Sequence, residues 1–179
     1  MAHAVHKTSE RNCVNKSPLF HIQCAALCAL LANSGDALAD DATDCQAAAG
    51  TYLTGIVQSA PTFVHGQALH GIELSHTHVT LLGDADSQTY VIAVDNVFAS
   101  GYLPRREVVP PPLDSIHTGD HLELCGIPYQ GGMHWVHTNC GDQPTAQDPN
   151  GWLKELLPNG MPGENLEGST KYCYLWPKK

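Results

Sequence analysis

From residue 52 to residue 140 the chain falls into short stretches of alternating apolar and polar side chains, separated by glycine, proline and aspartate. Residues 52–58 (YLTGIVQ) read as a first strand. Residues 69–82, rich in β-branched side chains and histidine, read as a long or bent second strand. Gly83-Asp84-Ala85-Asp86-Ser87 is turn chemistry, and residues 88–95 (QTYVIAVD) follow as a third strand. Residues 96–119 carry Pro104 and Pro110-Pro111-Pro112 and form a long connection. Gly119-Asp120 then leads into a fourth strand, 121–127, in which Leu122 and Leu124 share one face. A turn at Gln130-Gly131-Gly132 opens a fifth strand over 133–138. Further on, proline, glycine and asparagine recur every few residues, and 152–157 (WLKELL) suit a short helix or strand.

Five such strands with these connections predict a mainly β fold. The expected form is a small five-stranded Greek-key barrel of the OB type over residues 51–140. A loop-rich, disulfide-tied C-terminal extension, 141–179, would pack on it. A β-sandwich of similar strand count is the competing architecture.

The first residues follow a different pattern. Lys7, Arg11 and Lys16 outweigh Glu10, an apolar run covers 24–32, and Ala37-Leu38-Ala39 offers a small-x-small cut site. That order is a signal peptide over 1–39, which predicts an exported protein, periplasmic or secreted. The run is too short for a membrane span, which needs about 20 apolar residues, so no membrane attachment is expected after cleavage. Residues 40–50 then read as a loose acidic lead-in held at Cys45.

Removing residues 1–39 leaves six basic and 16 acidic residues, a net charge of −10. Such a surface repels phosphate backbones, so nucleic acid is not an expected partner. Four cysteines remain, Cys45, Cys125, Cys140 and Cys173, with no Cys-x-x-Cys pair. In an oxidising compartment they predict two structural disulfides. If the last hairpin turns at Gly131-Gly132, Cys125 faces Thr138. If it turns at Gly132-Met133, Cys125 faces Cys140 at a separation a disulfide accepts. The second register predicts Cys125–Cys140 and leaves Cys45–Cys173 to join the ends.

Eight histidines follow residue 39: His65, His70, His76, His78, His117, His121, His134 and His137. His76 and His78 are two apart and share a strand face, an acceptable spacing for metal ligands. His134 and His137 would point to opposite faces of a strand, so half-exposed polar histidines are the favoured reading and no metal or cofactor is expected. There is no Gly-x-Ser-x-Gly elbow, and the cysteines are spent in disulfides. Asp84 and Asp86 lack the twelve-residue pattern of a calcium loop and read as turn formers. Trp135, between the last two histidines, suits a cleft or a core equally well.

At Gly131-Gly132, His134-Trp135, His137 and Gly151-Trp152-Leu153 the chain resembles a family of small exported bacterial proteins of unknown function. That family has an OB-like core and a Gly-Gly-x-x-His-Trp-Thr-His segment followed by Gly-Trp. Its Arg-His-Gln strand motif would fall on Ser75-His76-Thr77-His78, and its asparagine on Asn96. The four cysteines, the proline-rich connection and the 161–179 tail depart from it. The resemblance implies a fold and a candidate face, not a reaction. That face comprises His76, His78, Asn96, His134, Trp135 and His137. The expected function is a monomeric binding or accessory module for a small ligand or protein. A His-dependent, nuclease-like hydrolase using His134 or His137 as base is the alternative, and a purely structural surface protein a third.

Overall fold

A computed structural model describes residues 33–176 of the 179-residue chain. The expected leader lies outside these residues as far as position 32. The described part opens with helix α1, Asn33–Ala47. Nine strands follow among the described residues: β1 Thr51–Val57, β2 Thr62–Val64, β3 Ala68–Leu69, β4 Ile72–Glu73, β5 His76–Gly83, β6 Thr89–Asp95, β7 His121–Tyr129, β8 Gly132–His134 and β9 Trp152–Glu155.

Five of these make the barrel. β1, β5, β6, β8 and β7 are hydrogen-bonded in that order, and β7 returns to β1 to close the sheet. All neighbours are antiparallel except β6 and β8, which run parallel. Numbered along the chain as barrel strands, the circuit is 1-2-3-5-4 and back to 1. This is a closed, mixed barrel with the Greek-key order expected of an OB-like domain. β9 lies against the free edge of β7, and β2 against β5.

Period-two alternation decides what fills the barrel. Val57, Val79, Leu81, Ile92, Val94, Leu122 and Leu124 point inward and are buried, joined by Met133 and Leu153. Burying one such side chain contributes about 1.5–3 kcal/mol. Leu113 and Ile116 from the proline-rich connection enter the same core. They come from a single 3-10 turn, Leu113–Ser115, and the residue after it.

Several elements differ from the sequence-based expectations. Residues 40–47 are helical rather than loose, and the acidic side chains that suggested a lead-in include a partner of the barrel, Asp41. The long second strand is broken: β3 and β4 form their own small hairpin, with His70 and Gly71 at positive φ between them, and β5 starts afresh at His76. Residues 152–157 open with strand β9. The fifth barrel strand stops at His134, four residues short of the expected end, because Trp135 adopts φ +60° and turns the chain off the sheet.

That early stop also overturns the expected sulfur pairing. The β7–β8 hairpin turns at Gln130-Gly131, with Tyr129 opposite Gly132 and Ile127 opposite His134, a register neither alternative had assumed. The chain has left the sheet before it reaches Cys140. The bridges are Cys45–Cys125, with Cα atoms 5.5 Å apart, and Cys140–Cys173, at the same separation. Cys125 points to the outer side of β7, where its cross-strand neighbours are Tyr52 and Trp152 and α1 delivers Cys45. Cys140–Cys173 ties the C-terminal extension to the segment after β8.

Candidate functional site

The outer faces of β5 and β6 carry the histidines. Because Thr77, Val79 and Leu81 point inward, His76 and His78 project outward and are half-buried. Asp95 is the register partner of His76 on β6 and projects from the same face. Its carboxylate contacts two imidazoles: Oδ1 lies 3.0 Å from His76 Nε2 and Oδ2 lies 3.3 Å from His137 Nε2. Asp95 thus joins two barrel strands to the segment that follows β8.

His137 reaches this position because the chain leaves the sheet at Trp135. Its ring stacks on Phe98, centroids 3.9 Å apart and planes 8° from parallel. Its Nδ1 is 2.8 Å from the Thr138 carbonyl. A carbonyl only accepts, so Nδ1 carries a proton, and Nε2 donates to Asp95 as well only when the ring is doubly protonated. The side chain of His137 is 7% exposed and that of His76 is 32% exposed, so the first braces the site and the second faces solvent. Two non-glycine residues at positive φ, Trp135 and Cys140, bracket the segment. Such backbone costs of order 1–3 kcal/mol each and persists where its surroundings over-determine it.

Opposing effects set the charges. Burial alone would raise the Asp95 carboxyl, but hydrogen bonds from His137 and His76 outweigh it and hold the group well below the usual carboxylate range. The same bond raises His76 against the lowering effect of its burial. His78 and His134 are lowered, chiefly by desolvation, and are neutral imidazoles at neutral pH. Glu167, from the C-terminal extension, is fully buried, and neither carboxylate oxygen has a hydrogen-bond partner. Burial, and then the nearby Asp95, push it well above the carboxylate range, so it stands as a neutral acid. Its backbone carbonyl accepts from Thr138 N at 3.1 Å, next to His137.

Aromatic rings continue outward from this centre. Tyr129 meets His134 edge-on at 5.6 Å, His134 meets Trp135 at 5.7 Å, and Trp135 meets His137 at 5.6 Å. Beyond His137 and Phe98 the row ends at Trp176, 5.4 Å from Phe98. Trp135 is half-buried and its indole Nε1 donates to Asp148 at 3.3 Å, so it is neither a core residue nor free. Tyr129 and Trp176 at the two ends are exposed.

The expected residues therefore divide. His76, His134, Trp135 and His137 gather around Asp95, and His78 lies beside His76 on the same strand face. Asn96 does something else. It is fully buried, accepting from Thr77 Oγ1 at 2.6 Å and donating to Ser75 Oγ at 3.0 Å. It ties the end of β6 to the start of β5 from beneath. Asp95, Phe98, Glu167 and Trp176 were missed by sequence reasoning. For Asp95 a signal existed: a hairpin turning at residues 83–88 puts it across from His76. The glycine before Trp152 also has a structural reason. A side chain at Gly151 would run into the Trp135 and Cys125 carbonyls, so only glycine lets this strand approach.

Among the described residues no group of three or more His, Cys, Asp or Glu side chains is arranged to hold a metal ion. No described helix is long and apolar enough to cross a membrane. No family model matches the chain, and comparison with curated proteins and with solved structures found no match.

Proposed function

We propose that this chain is an exported accessory module that binds a partner across the outer β5–β6 face of its barrel. One observation carries the reading: Asp95 locks imidazoles from β5 and from the post-β8 segment into a single charged centre, flanked by half-exposed rings. Such a centre is built before any partner arrives, which lowers the cost of binding. OB barrels use the corresponding strands for ligands. His134, Trp135 and His137 of the resembling segment fall on the same face, and the two disulfides are consistent with an extracytoplasmic location.

The chain's net charge of −9 disfavours polyanions, so the fitting partner is uncharged or cationic. His78, His134 and Trp135 are the presenting groups, and Asp95, His137 and Phe98 hold them in place. The test is a titration with uncharged oligosaccharides and with short peptides of either charge, read by the imidazole NMR signals and by tryptophan fluorescence. At least one class shifts His78, His134 and Trp135, and Trp135→Ala with His134→Ala abolishes the shift while the barrel remains folded. A folded wild type that responds to none of the three classes overturns the reading.

The His76–Asp95 pair also favours a second reading, a hydrolase in which the carboxylate orients a general base. Against it, the neighbouring hydroxyls of Ser75 and Thr77 are both engaged with Asn96. Turnover of any ester or glycoside that His76→Gln removes would promote it over binding.

A further inference from the structure

A second acidic cluster lies on the outer side of β1, β7 and β9, beneath α1. Glu123 of β7 points away from the barrel core, yet it is fully buried. Its Oε2 accepts from the Tyr52 hydroxyl of β1 at 2.7 Å, while Oε1 has no hydrogen-bond partner. Lys154 of β9, the register partner of Glu123, places Nζ 3.8 Å from that Oε1 but 2.7 Å from Asp41 Oδ2 of α1. The ammonium is thus committed to the helix and also rests over the Trp152 ring, 4.3 Å from its centroid. Two carboxyl groups share one cation in a buried space, with Tyr52 as a neutral donor. Both ionised, they leave one negative charge uncompensated, which a low-dielectric site resists. One proton removes it.

We propose that α1 is a strap whose docking on the barrel is governed by the proton on Glu123, with Cys45–Cys125 as the tether that holds it while it opens. The charged and titratable groups facing Glu123 are Asp41 from α1, Tyr52 from β1 and Lys154 from β9, and Asp84 adds its charge at Tyr52. Burial first, then Asp41, raise Glu123 to about 7, against the lowering bond from Tyr52 and charge of Lys154. A carboxyl raised in the docked state binds more protons there than in the open state. Docking is therefore fully favoured below the ordinary glutamate value of 4.5 and weakens as pH rises towards 7. A strap of this kind keeps the outer β1–β7 face covered in mildly acidic surroundings and uncovers it under alkaline ones.

Hydrogen exchange of the amides of residues 40–47, the part of α1 beyond the expected leader, tests this at pH 5.5 and pH 8 after correction for intrinsic rates. In the oxidised wild type, protection of α1 falls by at least about tenfold between the two, while β5 and β6 are unchanged. Glu123→Gln, which cannot ionise, keeps high protection at both. Asp41→Asn removes the like charge and frees Lys154 for Glu123, so its loss of protection is reduced. Equal α1 protection in the wild type at both pH values overturns the proposal. So does a tenfold fall that persists in Glu123→Gln or, should that variant fail to fold, in Asp41→Asn.

Discussion

Asp95 and Glu123 are both acidic side chains on the outer surface of the same barrel, each beneath chain that packs over it, yet their chemistry is opposite. Asp95 meets two imidazoles and no competing acid in direct contact, so it is held ionised. Glu123 meets a tyrosine hydroxyl, a lysine already paired with Asp41, and Asp41 itself, so it is pushed up to about 7. Burial opposes charge at both sites. The balance of partners decides which acid keeps its proton, and the two acids answer pH with opposite sign.

Removing the acid should have its largest effect at the first site. Asp95→Asn leaves two imidazoles facing a neutral amide, and we expect a loss of about 2–3 kcal/mol in urea unfolding at pH 6, below the full cost of breaking a wholly buried pair because Asp95 is partly exposed. A loss under about 0.5 kcal/mol would make the two acids equivalent and end the comparison. The pH dependence is next in size. His76 is raised, so its contribution is fully present below about 6.5 and is lost as pH rises through its folded-state value. Asp95 is lowered, so its contribution is present above its ordinary 3.8 and is lost as pH falls. His76→Asn should therefore cost about 1 kcal/mol at pH 5.5 and much less at pH 9. A cost that grows with pH would reverse the assignment. The smallest effect is expected at Glu167, which is already neutral in the fold. Glu167→Gln should change stability by less than about 1 kcal/mol at pH 5, and should stabilise at pH 8 by removing a proton the fold must otherwise bind. Matching thermal melts at the two pH values would show that Glu167 is ionised after all.

Much of the barrel was legible because alternation is a local property. Val79 and Leu81, or Leu122 and Leu124, declare their inward face without knowledge of any other strand. The even number of cysteines after residue 39 was legible in the same way. What stayed hidden depends on long-range register. The pairing of Cys125 required knowing that Trp135 would leave the sheet, and nothing about a tryptophan between two histidines announces positive φ. The helical state of residues 40–47 rests on tertiary ties, the Cys45 bridge and the Asp41–Lys154 pair, rather than on a strongly amphipathic pattern. At the candidate site the histidines stood out by type, whereas the acid that organises them looked like any strand-end aspartate. The resemblance placed Asn96 on the candidate face, but its buried bonds to Ser75 and Thr77 make it a fastening of the strands.

The two cystines close rings that follow one another along the chain without overlapping, the first spanning 80 residues and the second 33. Between them runs a single open link, residues 126–139, and that link carries His134, Trp135 and His137. A protease nick inside either ring leaves the molecule covalently whole. A nick in the link would cut it in two, so the histidine segment is the one stretch between the cystines where the chain has no covalent safeguard.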